Sequence, residues 1–157
     1  MRKEEAVGYA IYLKIDGLAG DCADPGHRGW YSLDGFGHSL SSPQQRSAAA
    51  TASDFSVTKL CDRFTPQLAR AAAEGRYYKE AVIELVQADG SKTPFMGFRL
   101  EKVRITNYSI SGAPQGDVRA PYENFAIGFE KIEWVSFPGA AEESRTDWVN
   151  EAAGAAN

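Results

Sequence analysis

Between Tyr9 and Ile15 every second residue is apolar: Tyr9, Ile11, Leu13 and Ile15 alternate with Ala10, Tyr12 and Lys14. Successive side chains of an extended chain point to opposite faces, so this rhythm predicts a strand over Gly8 to Ile15 with one face turned to a core. Asp16-Gly17 predicts a turn, and Ala19 to Gly29, which holds three glycines and Pro25, predicts a polar loop. A second strand is expected from Trp30 to about Leu40, interrupted by Gly35 and Gly37, where missing side chains suggest a bulge or a close backbone approach.

The alternation returns over most of the remaining chain. Ser41 to Ser53, rich in Ser, Ala, Gln and Thr around Pro43, has no apolar period and predicts a long projecting loop. Strands are predicted over Asp54 to Cys61, Lys79 to Gln87, Thr93 to Leu100, Val103 to Ser111 and Tyr122 to Phe137. Turns or loops are expected at Asp89-Gly90 and Ala113 to Pro121. In the last strand the apolar phase slips between Phe129 and Ile132, which predicts a bulge or cover on both faces.

One helix interrupts the strands. Thr65 is the expected N-cap, Pro66 the first helical position, Leu68 to Glu74 an alanine-rich body and Gly75 the stop. Many short strands around a single helix predict a mainly β fold: an antiparallel barrel of two packed sheets with one short flanking α-helix. The barrel domain is expected over residues 1–138 and a polar tail over 139–157, with a short edge strand near Trp148.

A chain of 157 residues with net charge −4 has enough apolar content for its own core, and it would meet nucleic acid with repulsion. No apolar run is long enough to span a membrane. The charged start Met1-Arg2-Lys3-Glu4-Glu5 lacks the apolar core of a signal peptide, so any export is expected to use no cleaved leader.

Catalytic and metal chemistry finds little support. Cys22, His27, His38 and Cys61 match no zinc spacing, and the two thiols read as idle or buried. A Cys61–His38 nucleophile pair has no third group to orient the base. Asp16, Asp21, Asp24 and Asp34 lack the ligand rhythm of a calcium loop and read as turn residues. Gly26, Gly29, Gly35 and Gly37 precede no strand-to-helix crossover, so they make no phosphate cradle. No cofactor and no metal are expected.

Taken in order, Tyr12-Leu13-Lys14-Ile15-Asp16-Gly17, His27-Arg28-Gly29 and Ser32-Leu33-Asp34-Gly35-Phe36-Gly37 resemble the opening of the haemolysin-coregulated protein (Hcp) family. The resemblance continues through Asp54-Phe55-Ser56-Val57-Thr58-Lys59, Thr65-Pro66-Gln67-Leu68 with Glu74-Gly75-Arg76, and Glu80-Ala81-Val82-Ile83-Glu84-Leu85. It closes with Val103-Arg104-Ile105-Thr106-Asn107-Tyr108-Ser109 and Glu123-Asn124-Phe125-Ala126-Ile127-Gly128-Phe129-Glu130-Lys131-Ile132. The resemblance implies the inner-tube subunit of a bacterial type VI secretion system. Such a subunit forms hexameric rings that stack into a tube expelled by a contractile sheath, with a spike protein at the tip and effector proteins held in the lumen. It would be cytoplasmic when assembled and then secreted without a signal peptide, with neither nucleic acid nor membrane insertion involved.

Transferred to this chain, the resemblance makes Ser41, Ser42, Pro43, Gln44, Gln45 and Arg46 candidates for contacts between subunits or rings. Phe36, Gly37, His38 and Ser39 become candidates for lumen or effector contacts. Where family members often carry aromatic, small, aromatic, commonly two tryptophans, this chain has Phe36-Gly37-His38. The alternative reading is a non-polymerising adaptor on the same barrel, or a phage-like tail tube protein. An enzyme built on Asp16 to His38 comes third.

Overall fold

The structure is a computed structural model that describes residues 8–43, 49–116 and 119–150. Among the described residues eleven strands and one helix follow each other in the order β1 (Tyr9–Ile15), β2 (Tyr31–Leu33), β3 (Gly35–Gly37), β4 (Leu40–Ser41), β5 (Thr51–Ala52), β6 (Phe55–Leu60), α1 (Thr65–Glu74), β7 (Tyr77–Gln87), β8 (Pro94–Ser111), β9 (Tyr122–Gly128), β10 (Lys131–Ser136) and β11 (Ser144–Val149). The mainly β class with one short helix agrees with the sequence expectation.

One antiparallel sheet runs β2-β1-β7-β8-β9-β6-β3, with β10 on β8 and β11 on β10. The two ends of that path, β2 and β3, are consecutive in the chain and separated by Asp34 alone. The Asp34 N–H donates to the Thr58 carbonyl at 2.7 Å. The sheet therefore curls round on itself, but its seam is crossed by the covalent chain, and no ladder closes it. The barrel class agrees with the expectation, whereas the expected single strand from Trp30 to Leu40 is corrected. Residues 31–33 ladder with β1 and residues 35–37 with β6, so the segment changes partner at Asp34 and is divided there.

The two strands expected at Thr93 to Leu100 and Val103 to Ser111 are one 18-residue strand, β8. Lys102 sits at φ 53, and across it the buried positions pass from Phe98 and Leu100 to Val103 and Ile105. A left-handed residue inside a strand bends it and shifts its side-chain phase. Conversely, the single strand expected from Tyr122 to Phe137 divides into β9 and β10. Both lie along β8, but on its other edge β9 meets β6 whereas β10 meets β11. The slip in apolar phase at Phe129 and Glu130 marks that change of partner.

The core is filled from every wall. Leu13, Ile15, Ile83, Leu100, Ile105, Phe55 and Ile127 are almost wholly shielded from water, and Leu68 of α1 joins them. Burying a leucine of this kind contributes roughly 1.5–3 kcal/mol. The helix stops as expected: Gly75 is left-handed at φ 62, and its N–H reaches the Ala71 and Ala72 carbonyls. Its start differs. Phe64 is the N-cap with no side-chain capping bond, because the Thr65 hydroxyl is drawn away to Glu123 and also receives the Asp62 N–H.

Loop Ala19 to Gly29 folds over the outside of β1 and β7. The His27 ring stacks on Tyr12 with centroids 4.0 Å apart, and its Nε2 lies 2.7 Å from Glu84 Oε1. Gly20 is required here, since a Cβ at that position would sit 2.3 Å from the Trp30 carbonyl oxygen.

Candidate functional site

Strand β3 supplies Phe36 and Gly37 of the candidate strip, and His38 and Ser39 follow it. Phe36 pairs with Val57 and turns inward, its ring parallel to Phe55 at 5.6 Å and tilted to Phe98 at 5.7 Å. His38 follows the same phase into the mouth of the barrel, against Phe55, Phe129 and Trp134. Gly37 pairs with Ser56 on the opposite, outward face, and the Ser56 hydroxyl donates to the Gly37 carbonyl at 3.2 Å. Ser39 is exposed, and its N–H donates to Ser53 Oγ at 2.9 Å.

Beside Gly37 the outward face of β6, β9 and β8 holds a patch of short, uncharged side chains. Ser56, Thr58, Asn107, Ser109, Asn124 and Ala126 rim a shallow depression of about 240 Å³ floored by Val57 and Phe125. The Thr58 hydroxyl donates to Asn124 Oδ1 at 2.6 Å, so its polar groups are partly satisfied among themselves. A patch whose lining carries no charge and no long polar side chain offers weak, exchangeable hydrogen bonds and little electrostatic discrimination.

The long loop expected at Ser41 to Ser53 stands on a two-residue hairpin stem. Leu40 pairs with Ala52 and Ser41 with Thr51, while the Ser53 N–H donates to the Ser39 carbonyl at 2.9 Å. Ser41, Ser42 and Pro43 are exposed, as is Leu40 at 49 %. Gln44, Gln45 and Arg46 lie outside the described residues.

The chemistry considered for an enzyme is dispersed. Asp21 pairs with Arg63, and Asp24 takes the Tyr12 hydroxyl and the Lys92 ammonium, which hold its carboxyl below the usual carboxylate range, Lys92 first. Asp34 sits at the seam on Thr58. His27 is tied to Glu84 while His38 is in the barrel mouth, and both cysteines are free and half-buried. Among the described residues no three His, Cys, Asp or Glu side chains gather where they could hold a metal ion. No helix there is long and apolar enough to cross a membrane.

One cluster has no counterpart in the sequence reading. Lys59 and Glu123, 1 % and 0 % exposed, meet at 2.7 Å. Lys59 also donates to the Leu60 carbonyl at 2.8 Å and lies 3.1 Å from Asp62, while Thr65 and Tyr108 donate to the two Glu123 oxygens at 2.8 and 2.6 Å. Burial, then Glu123 itself, pushes the Tyr108 hydroxyl pKa up. The signal was present: Lys59 continues the inward phase of Phe55 and Val57, and Glu123 begins that of Phe125 and Ile127. Two opposite charges on the buried phase of neighbouring strands are each other's expected partner.

The profile of the family described as "Type VI secretion system effector, Hcp" matches residues 12–135. No curated protein sequence matches the chain. Among solved structures, Hcp1 from Salmonella typhimurium superposes with a TM-score of 0.81 at 18% identity, over 92% of this chain and 97% of that one. A structure described as that of a type six secretion system protein gives 0.80 at 23% identity, over 92% and 97% of the two chains. A type VI secretion system effector from Yersinia pestis gives 0.75 at 19% identity, over 88% and 98%. At these identities the structural likeness establishes a shared fold, and the profile match, which spans most of the length, establishes kinship. This chain belongs to the Hcp family of type VI secretion system effectors.

Proposed function

We propose that this protein is a structural subunit of a type VI secretion tube. It assembles with copies of itself into hexameric rings, the rings stack, and the tube is expelled with effector proteins held in its lumen. The observation that carries this reading is the uncharged, short-side-chain patch of Ser56, Thr58, Asn107 and Asn124, on a chain of this family. A surface of that kind suits a conduit wall, because it holds a passenger protein by weak polar contacts and does not trap it by charge.

In this reading Gly37 and Ser39 are what the strip shows to the lumen, and Phe36 and His38 support it from within the barrel. Ser41, Ser42 and Pro43 lead the hairpin toward a neighbouring subunit or ring. Among the described residues β2, β3 and β11 carry a ladder on one edge alone, and such edges offer backbone groups to other copies. The spike and sheath are partners only through the assembled tube. Secretion follows from tube expulsion.

Electron micrographs and native mass spectra of the purified protein test the reading. Rings and stacks are expected, and monomer alone across concentrations and salts refutes it and favours the adaptor alternative. In cells, the protein should reach the medium only when the sheath is functional.

A further inference from the structure

Strand β8 carries one residue more than its partner β9. Ile105 pairs with Ile127 and Asn107 with Ala126, so Thr106 has no residue opposite it. A bulge of this kind reverses the side-chain phase beyond it. Val103 and Ile105 are buried before the bulge, and Tyr108 packs on the core after it. Asn107 and Ser109 are exposed and line the uncharged patch. An unbroken strand running on from Ile105 would turn Asn107 and Ser109 inward and Tyr108 outward, and the patch would lose two of its members.

Two arrangements hold the bulge where it is. Gly128 leaves room for Thr106, since a Cβ there would stand 2.8 Å from the Thr106 methyl carbon, and the Thr106 hydroxyl donates to Asp54. Beyond it, the Tyr108 hydroxyl donates to Glu123 Oε1 at 2.6 Å. Tyr108 pairs with Phe125, so Glu123 is its diagonal neighbour on the same face, within reach of a tyrosine. Glu123 is held in turn by Lys59, its direct partner on β6, at 2.7 Å. The next pair along that ladder is Thr58 with Asn124, both of which line the patch.

A buried ion pair is a poor source of stability, because desolvation offsets most of the attraction and apolar residues of like volume often replace it without loss. What apolar residues could not supply here is an acceptor for a tyrosine hydroxyl inside the barrel. We propose that Lys59 and Glu123 are the anchor of the β8 bulge and that, through the positioning residue Tyr108, they set Asn107 and Ser109 outward in the patch. With no acceptor, the Tyr108 hydroxyl is better satisfied by water, the extra residue re-enters the ladder, and Asn107 and Ser109 turn in. The use of this anchor to a passenger protein rests on the tube reading, whereas the register it sets belongs to the single chain.

Maleimide labelling of Ser109→Cys, read on its own peptide by mass spectrometry, tests the anchor in the full chain. In the wild-type background the thiol should label in one fast phase. With Lys59→Met and Glu123→Leu together, a phase severalfold slower should appear. Adding Tyr108→Phe to that pair should restore the single fast phase, because a phenyl ring needs no acceptor; a merely structural role of the ion pair gives no such rescue. Tyr108→Ser, with the ion pair intact, should also show the slow phase, and it keeps the test decisive if the double variant misfolds. Slow labelling in the wild-type background, a single fast phase in the folded double variant or in Tyr108→Ser, or a triple variant as slow as the double overturns the proposal. Native mass spectra of the same samples separate the two readings: monomer alone throughout refutes the tube reading and leaves the labelling result standing, whereas rings with unmoved labelling overturn the anchor alone.

Discussion

Lys59 Nζ and Glu123 Oε2 meet 2.7 Å apart inside the barrel, on strands that neighbour each other across the β6–β9 ladder. The pair gathers Asp62, Thr65 and Tyr108, and through Thr65 it fastens the first turn of α1 to the sheet. Removing one member strands a buried charge, so Lys59→Met or Glu123→Gln should each cost about 3–5 kcal/mol in chemical denaturation. The double variant Lys59→Met with Glu123→Leu should recover part of that loss, since an apolar pair needs no counter-charge. Equal losses in single and double variants would assign the effect to packing alone.

Tyr108 offers a pH test of the same cluster. Burial and Glu123 hold its hydroxyl protonated well above the ordinary value of 10.0, so the fold binds this proton more tightly than the unfolded chain does. Stability is then complete below pH about 10 and falls as the pH rises beyond it. Thermal melts should show wild type losing more between pH 8 and about 11 than Tyr108→Phe, which should be less stable at pH 8 through the lost hydrogen bond.

At Gly20 the loop and β2 approach too closely for any side chain. Gly20→Ala must push the backbone away from Trp30 and is expected to cost about 1–3 kcal/mol, with a changed near-ultraviolet dichroism from the displaced indole. An unchanged melt and spectrum would contradict the close approach.

Ser109 and Leu40 separate folding from assembly. Both are exposed, so Ser109→Arg and Leu40→Glu should each leave monomer stability within about 0.5 kcal/mol. In the tube reading Ser109→Arg keeps rings but lowers retention of a co-expressed effector. Leu40→Glu, at the hairpin stem, shortens stacks in micrographs and spares the rings.

Alternation and end signals alone determined much of the molecule. Tyr9 to Ile15, Phe55 to Leu60 and the body of β7 show period two because one face is buried, and Gly75 ends the helix because a left-handed residue is needed there. Trp148, expected near a short edge strand, lies in β11. The turning of Phe36 inward and of Gly37 outward was visible only in the β3–β6 register, and that of His38 only in its contacts with Phe55, Phe129 and Trp134.

Only the tertiary structure decided the rest. It split Tyr122 to Phe137 where β9 gives way to β10, joined two expected strands at Lys102, and set Asp34 at an unladdered seam. It also took Thr65 from capping duty to Glu123 and united Lys59 with a residue 64 positions away. A period of two tells each side chain which face it belongs to and leaves open which strand lies beside it. Curvature, partner exchange and buried charge pairing depend on that neighbour, and it is chosen by contacts between distant segments.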